Sequence, residues 1–438
     1  MNERTLQASL FAALLFGCSA ARPLTESPPA DYWSPQEVVH GDHVYSSTVM
    51  TVQFFKRGFE LAPPVLDLGS AEPLVLRFDD LQSDPERLSY TIVHCNADWQ
   101  PSDLAQGQYI QGAITDFVPP GRQSFGTLQP FIEYELEVPN TLMRPLIAGN
   151  YLLKVYRNTD PEDLVLTRRF LVFEQRLEVD ARVVASRDVE MRDIAQQVDI
   201  TVRHPGVNIN DPFADVQVIV LQNMRWDDAR RGMRPRFLRD RELVYDFPKE
   251  ALFLGGSEWR GYDLKNLRYN SPRIQRIVRG PDGLEEAFLL PEKKRDIRIY
   301  VEEPDINGRH FVRNDQVDGD PLGADYVWVN FTLQMDAPLG AGEIYVYGGL
   351  SDHQCLKDMR MVWMPEAKAY VLRALVKQGF VNYCYAYLPP NSDLPDLTTL
   401  EGSHFQTEND YLVLVYVRDH TLRCDRLLGM RFVNSRRG

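Results

Sequence analysis

No stretch of this sequence is apolar for the roughly 20 residues that a membrane helix needs. No CxxC, HExxH, GxSxG, GxGxxG, GxxxxGK[ST] or EF-hand loop occurs in it either. These absences exclude a helical membrane-spanning body and leave no announced zinc, thioredoxin-type, nucleotide or serine-hydrolase site. Positive charge is also short. With 48 Lys and Arg against 62 Asp and Glu, the formal net charge is -14, so the electrostatic footprint of a nucleic-acid binder is missing. The eight histidines (His40, His43, His94, His204, His310, His353, His404 and His420) stand singly, with no pair at ligand spacing. The acidic run Asp315, Asp318, Asp320 lacks the spacing and the terminal bidentate Glu of a calcium loop and reads as a solvated interdomain turn. Neither catalysis, a metal nor a cofactor is therefore expected. Sustained helical periodicity is missing as well: Asp227 to Tyr245 comes nearest, but Gly232 and Pro235 interrupt it, leaving room for one or two short helices at most.

What the sequence does contain is alternation. Glu133, Glu135 and Glu137 interleave with Tyr134, Leu136 and Val138, and Gln197, Asp199 and Thr201 with Val198, Ile200 and Val202, each the period of a half-buried strand. Similar runs cover Val49 to Phe54, Leu74 to Phe78, Tyr90 to Cys95, Tyr151 to Val155, Arg168 to Phe173, Val327 to Phe331, Ile344 to Tyr347, Phe380 to Tyr387 and Tyr411 to Val417. Turn signals separate them, including Pro281-Asp282-Gly283 and the hairpin candidate Asp305-Ile306-Asn307-Gly308. The expected class is all-β, a tandem of antiparallel, immunoglobulin-like β-sandwiches of about 100 to 140 residues each. At 438 residues, three fit: 41–175, 176–325 and 326–438, with a break at Glu174-Gln175-Arg176 and another in the polar stretch Arg313 to Asp325.

The amino terminus stands apart. Residues 1–17 form a short apolar segment ending at Gly17-Cys18 and read as a signal peptide; Leu15-Phe16-Gly17-Cys18 resembles a bacterial lipobox, with Cys18 as the lipidated residue. A cleaved soluble form is the alternative, and both are exported. Residues 18–40, with Pro23, Pro28, Pro29 and Pro35, read as a tether. Beyond Cys18 the cysteines are Cys95, Cys355, Cys384 and Cys424, an even number whose spacing fixes no pairing; one bridge among the last three and buried free thiols are both consistent with it.

The strongest local departure from average composition is a run of arginines in an acidic chain: Arg225, Arg230, Arg231, Arg234, Arg236, Arg239 and Arg241, with Trp226 and Phe237 among them. Arginine mixed with aromatics is the composition of interface hot spots and also suits anionic headgroups. The plainer reading is a solvated loop paired with the nearby Asp227, Asp228 and Asp240. Arg225, Trp226, Arg230, Arg231, Arg234, Arg236 and Phe237 are the candidate partner-binding residues. His94-Cys95-Asn96-Ala97-Asp98-Trp99 is read as structural, the strand burying His94 or Cys95 while Trp99 packs over a sandwich edge. In the last third, Glu343 to Asp352, Met361 and Lys377 to Tyr383 resemble an early-set immunoglobulin-like module of the glycogen-binding kind, but His353 stands where a sugar-stacking aromatic would be expected.

Taken in order, several segments resemble the type IX secretion system plug protein family over residues 45 to 430. They are Tyr90-x-Ile92-x-His94-Cys95-x-Ala97-Asp98-Trp99, Leu166-Thr167-Arg168-Arg169-Phe170 and Gln222-Asn223-x-Arg225-Trp226-Asp227, then Pro304 to Gly308, Leu375-x-Lys377-Gln378-Gly379, Glu401 to Tyr411 and Asp425 to Gly429. The resemblance implies a non-enzymatic periplasmic protein, monomeric within a larger complex, that seats against a SprA-type outer-membrane translocon barrel and closes its channel when no substrate is present. A carbohydrate-binding envelope lipoprotein is the alternative.

Overall fold

The period-two runs all form strands. In Ile132–Val138 the apolar members point inward, with Tyr134, Leu136 and Val138 each almost fully buried. The structure, a computed structural model, describes residues 37–436 except 83, 247–248 and 297–298. The signal peptide, Cys18 and nearly all of the tether lie outside the described residues.

Six of the seven sheets among the described residues make three facing pairs, the seventh being the two-stranded Ile110–Gly112 with Met143–Pro145. In the first pair, His43–Val44, Leu164–Phe173, Gly149–Arg157, Leu88–Cys95 and Asp116–Phe117 lie in that order and face a sheet of Val49–Lys56, Leu74–Asp80, Ile132–Val138 and Arg122–Gln123. Phe78, Tyr90, Ile92, Tyr134, Tyr151 and Phe170 fill the space between them. The second pair sets Glu178–Ala185, Ala195–Arg203, Glu242–Tyr245 and Phe237–Arg239 against Val216–Gln222, Asp410–Asp419 and Cys424–Asn434. The third sets Arg260–Asp263, Gly379–Leu388 and His310–Val312 against Ile274–Arg279, Glu285–Leu289, Tyr326–Gln334, Ala369–Lys377 and Val362–Met364.

Chain order and sheet order part company in the second pair. Apart from a single bridge from Val220 to Arg230, Val216–Gln222 pairs with Asp410–Asp419, joined in seven registered positions from Val216↔Val417 to Gln222↔Tyr411. The whole third pair is thus spliced between strands of the second. Pairing also crosses the boundary expected near residue 325, because Glu286 to Phe288 align with Trp328 to Asn330. The polar stretch Arg313 to Asp325 joins the two sheets of the third pair through two short 3-10 turns, Asp315–Val317 and Pro321–Gly323, in place of the interdomain turn expected there. Within it Asp315 is bound by Arg313 and Asp320 caps the second turn.

Three further details fill in the sequence reading. The sheets are not purely antiparallel: Val65–Asp67, Glu285–Leu289 and Glu292–Lys293 each lie parallel to a neighbour. No helix forms in Asp227 to Tyr245, where Gly232 (φ 76°) and Pro235 break the backbone and a hairpin comes next. Asn307 and Gly308 do take the positive φ of a tight turn, but His310–Val312 then pairs with Gly379–Leu388 and no hairpin closes. A side chain at Gly308 would also strike the Trp259 ring, at 2.7 Å from its Cζ2. Cys95, Cys355, Cys384 and Cys424 are all free thiols, and burial pushes the Cys95 thiol up to about 12.

His94 links this packing to pH. Its ring lies against Tyr109 and Tyr151, with Nδ1 2.9 Å from Ser102 Oγ. Burial pushes the imidazole down to about 4, whereas an unfolded histidine titrates near ~6.5. Below ~6.5 the unfolded chain takes up a proton that the folded chain refuses, so stability falls from there towards the folded value. Thermal melts should therefore show Tm declining between pH 6.5 and 5, with a shallower decline in His94→Gln. An identical slope in the variant would assign the decline to other groups.

Candidate functional site

The arginine run divides at residue 230. Arg225 is buried, donating to Asp227 through Nε (3.2 Å) and Nη2 (2.7 Å) and lying over the ring of Tyr347 at 5.4 Å. Tyr347 closes the triangle by donating its hydroxyl to the same carboxylate at 2.7 Å. Arg230 pairs with Asp228 at 3.0 Å and covers Phe253. Trp226 is half-buried. These three candidates are turned inward because two local carboxylates and three rings take up their charge and their faces. Arg231, Arg234, Arg236 and Phe237 remain exposed, the last on the strand Phe237–Arg239, with Leu238, Arg239 and Arg241 exposed beside it.

Trp226 meets Trp99 edge to face, with ring centroids 5.0 Å apart. Arg169 lies over both rings, at 5.4 and 5.2 Å, while its guanidinium is held by Asp42 at 2.7 Å. Around them Cys95, Leu152, Leu171 and Phe173 of the first sandwich pack directly on Ile219, Leu221, Leu412, Leu414 and Tyr416 of the second. His94-Cys95-Asn96-Ala97-Asp98-Trp99 is the corner of this contact. The amide of Ala97 donates to Asp425 (3.1 Å), the amide of Asp425 donates to Asn96 (3.1 Å), and Tyr416 donates to Asn150 (2.6 Å). Two sandwiches share one apolar core here.

The first and third sandwiches are joined by buried charge. Lys377 Nζ stands 2.5 Å from Asp79 Oδ2, and both side chains are 1% exposed. The hydroxyl of Tyr326 donates to the same oxygen at 2.7 Å, and Phe131 lies 4.0 Å from the ammonium. Burial raises Asp79 above its ordinary value while Lys377 pulls it back. A second bridge, Arg168 to Asp352 at 2.7 Å, crosses the same junction. Between the second and third, Asn307 donates to Asp410 (2.9 Å), and Arg225 and Asp227 clasp Tyr347. Glu401 is held by Arg260 (2.9 Å) and Arg295 (2.8 Å); burial alone would raise its carboxyl, but the two guanidinium groups outweigh it and hold it at about 2. The segments carrying the family resemblance thus fall largely on the joints between sandwiches.

Among the described residues no group of three or more His, Cys, Asp or Glu is placed to hold a metal ion. His353 is enclosed, its ring edge-on to the buried Trp259 and Tyr347, so the place where a sugar platform would sit faces the interior. A cleft of about 300 Å³ opens where the three sandwiches meet, between Pro63, Met224, Arg309, Asp410 and Phe432.

The crystal structure of a hypothetical protein from Parabacteroides merdae ATCC 43184 is 30% identical, superposes with a TM-score of 0.86, and is matched over 91% of this chain and 100% of its own. Residues 49–174, the first sandwich, match the family model described as the type 9 secretion system plug protein 1st domain. The chain belongs to the type IX secretion system plug family. No curated protein matches it. Membership places this plug-family chain with the secretion machinery of the cell envelope. No helix among the described residues is long and apolar enough to cross a membrane.

Joints and exposed arginines should respond differently to substitution. Lys377→Met leaves Asp79 buried without its partner and should cost about 3 to 5 kcal/mol in urea unfolding, most of it recovered by adding Asp79→Leu. Arg234→Ala should stay within about 0.5 kcal/mol. Equal losses in the two single variants would mean that the buried pair is not the tie described.

Proposed function

We propose that this plug-family protein works in the periplasm, seating against the outer-membrane translocon barrel and occluding its channel while no substrate is present, with Cys18 carrying a lipid that keeps the body near the membrane. The observation that carries the reading is the set of interlocked joints, which make Val38–Gly438 one compact unit. Occlusion requires a body that does not thread or deform. A compact unit of about 400 residues has a radius of gyration of about 21 Å, enough to obstruct a wide aqueous pore, whereas a string of hinged sandwiches could be drawn through one at a time.

Obstruction needs shape and one specific interface of about 1,200 to 2,000 Å² in total, and no chemistry. The contact is expected at the exposed half of the arginine run, Arg231, Arg234, Arg236 and Phe237. Release is expected if cargo and plug exclude each other from the barrel, since each then weakens the other by the same factor. Barrel purified from cells with blocked cargo export should carry less of this protein than barrel purified without cargo; equal amounts in both would sink the reading.

A further inference from the structure

The exposed arginines are carried by an unusual piece of backbone. Among the described residues, Phe237–Arg239 is the outermost strand of its sheet, paired through Phe237↔Val244, Leu238↔Leu243 and Arg239↔Glu242 on one side only. All three of its residues are exposed, Phe237 at 46% and Leu238 at 51%. Because alternate side chains leave opposite faces of a strand, the exposure of neighbours means that both faces stand clear of the core. Edge strands are ordinarily kept short, twisted or charged so that no other chain adds to them. Here the edge is short and flanked by Pro235, yet it keeps two large apolar side chains in water.

Charge says what would cover it. Arg236 and Arg239 bracket the apolar pair, and Arg234 and Arg241 lie just beyond. Of the two acids nearby, Glu242 is taken by Arg203 and Arg239, each at 3.1 Å. The hairpin is therefore a local positive site on a chain of net charge -14, which repels an acidic segment over most of its surface and attracts it here. Neutral strands gain no such preference.

Resting on the plug reading, we propose that this edge is the seat of the contact and that the partner supplies an extended acidic strand, added to Phe237–Arg239 by main-chain hydrogen bonds. The order Arg236-Phe237-Leu238-Arg239 sets the side-chain pattern. Cross-strand neighbours sit opposite one another, so the incoming segment reads acidic, apolar, apolar, acidic, with its carboxylates facing Arg236 and Arg239. That pattern is the same in both directions, so the charges alone do not fix strand polarity.

The test uses the intact chain and a labelled peptide with a Glu-Val-Phe-Glu centre between Gly-Ser flanks, read by fluorescence anisotropy. Binding that weakens with salt is expected, and Arg236→Glu with Arg239→Glu should weaken it at least ~10-fold while favouring a Lys-Val-Phe-Lys peptide. Main-chain addition is probed in two ways: Leu238→Pro, and a peptide N-methylated at its centre, which needs no altered protein. Each should lose at least ~10-fold. The proposal is overturned if the charge-reversed chain binds the acidic peptide as before, if N-methylation changes nothing, or if vesicles of anionic lipid bind in place of the peptide. Capture of the barrel from envelope extracts by the unaltered chain tests the plug reading separately. A chain that captures the barrel and ignores the peptide keeps that reading and removes this edge from it.

Discussion

The molecule depends on a shared apolar core between its first and second sandwiches, gathered about the contact of Trp99 with Trp226. Sandwiches joined only by a linker would each bury their own interior and leave their outer faces to water. Here the outer face of Leu88–Cys95, Gly149–Arg157 and Leu164–Phe173 is itself apolar and is covered by Val216–Gln222 and the hairpin Asp410–Asp419 with Cys424–Asn434. The two sheets pack as layers of a single domain do. Once that face is covered, the third sandwich, inserted between strands of the second, is bound to both by short tethers and by the buried Asp79–Lys377 pair.

Arginine serves two ends in the same segment, and the difference lies in what stands two residues away. Arg225 has Asp227 and Arg230 has Asp228, so each folds back on a local carboxylate and spends its planar face on a ring. Beyond Gly232 and Pro235 the backbone leaves the core, and Arg234, Arg236, Arg239 and Arg241 stand exposed in a stretch that holds two acids, Asp240 and Glu242. A buried ion pair adds little net stability relative to apolar packing, so the inward arginines are better understood as fixing how the sandwiches meet than as strengthening them.

Much of this was legible in the sequence. Each alternating run became a strand because period two is a local property that burial on one face enforces. His94, Cys95 and Trp99 also turn inward as their residue types suggest, since an aromatic at the end of an apolar strand has few other places to go. Three things were hidden. The partner of Val216–Gln222 lies nearly two hundred residues away, and one apolar strand resembles another, so no local signal distinguishes Asp410–Asp419 from a nearer candidate. The short parallel strands carry too few residues to show a pattern. The sequence reading has Trp99 over a sandwich edge and Trp226 among the candidate contact residues; that the two meet edge to face is set only by the fold. Of the arginine run, pairing with Asp227 and Asp228 was legible, while the burial of Arg225 was not, and the edge strand was masked by a period that resembled a broken helix.

The splice of the third sandwich into the second also imposes an order on how the molecule comes into being. A chain delivered from its amino terminus can complete the first sandwich once residue 173 has emerged, and the third once residue 404 has. The second must wait for the strand that begins at Asp410, and until then Val216–Gln222 has only the bridge from Val220 to Arg230 and the apolar face about Trp99 has no cover. Long-range pairing of this kind is slow to form and leaves sticky surface exposed meanwhile. The last step of assembly is thus also the one that locks all three parts, so an incompletely delivered copy is a loose chain with an open sheet edge, and only a finished one is a solid body.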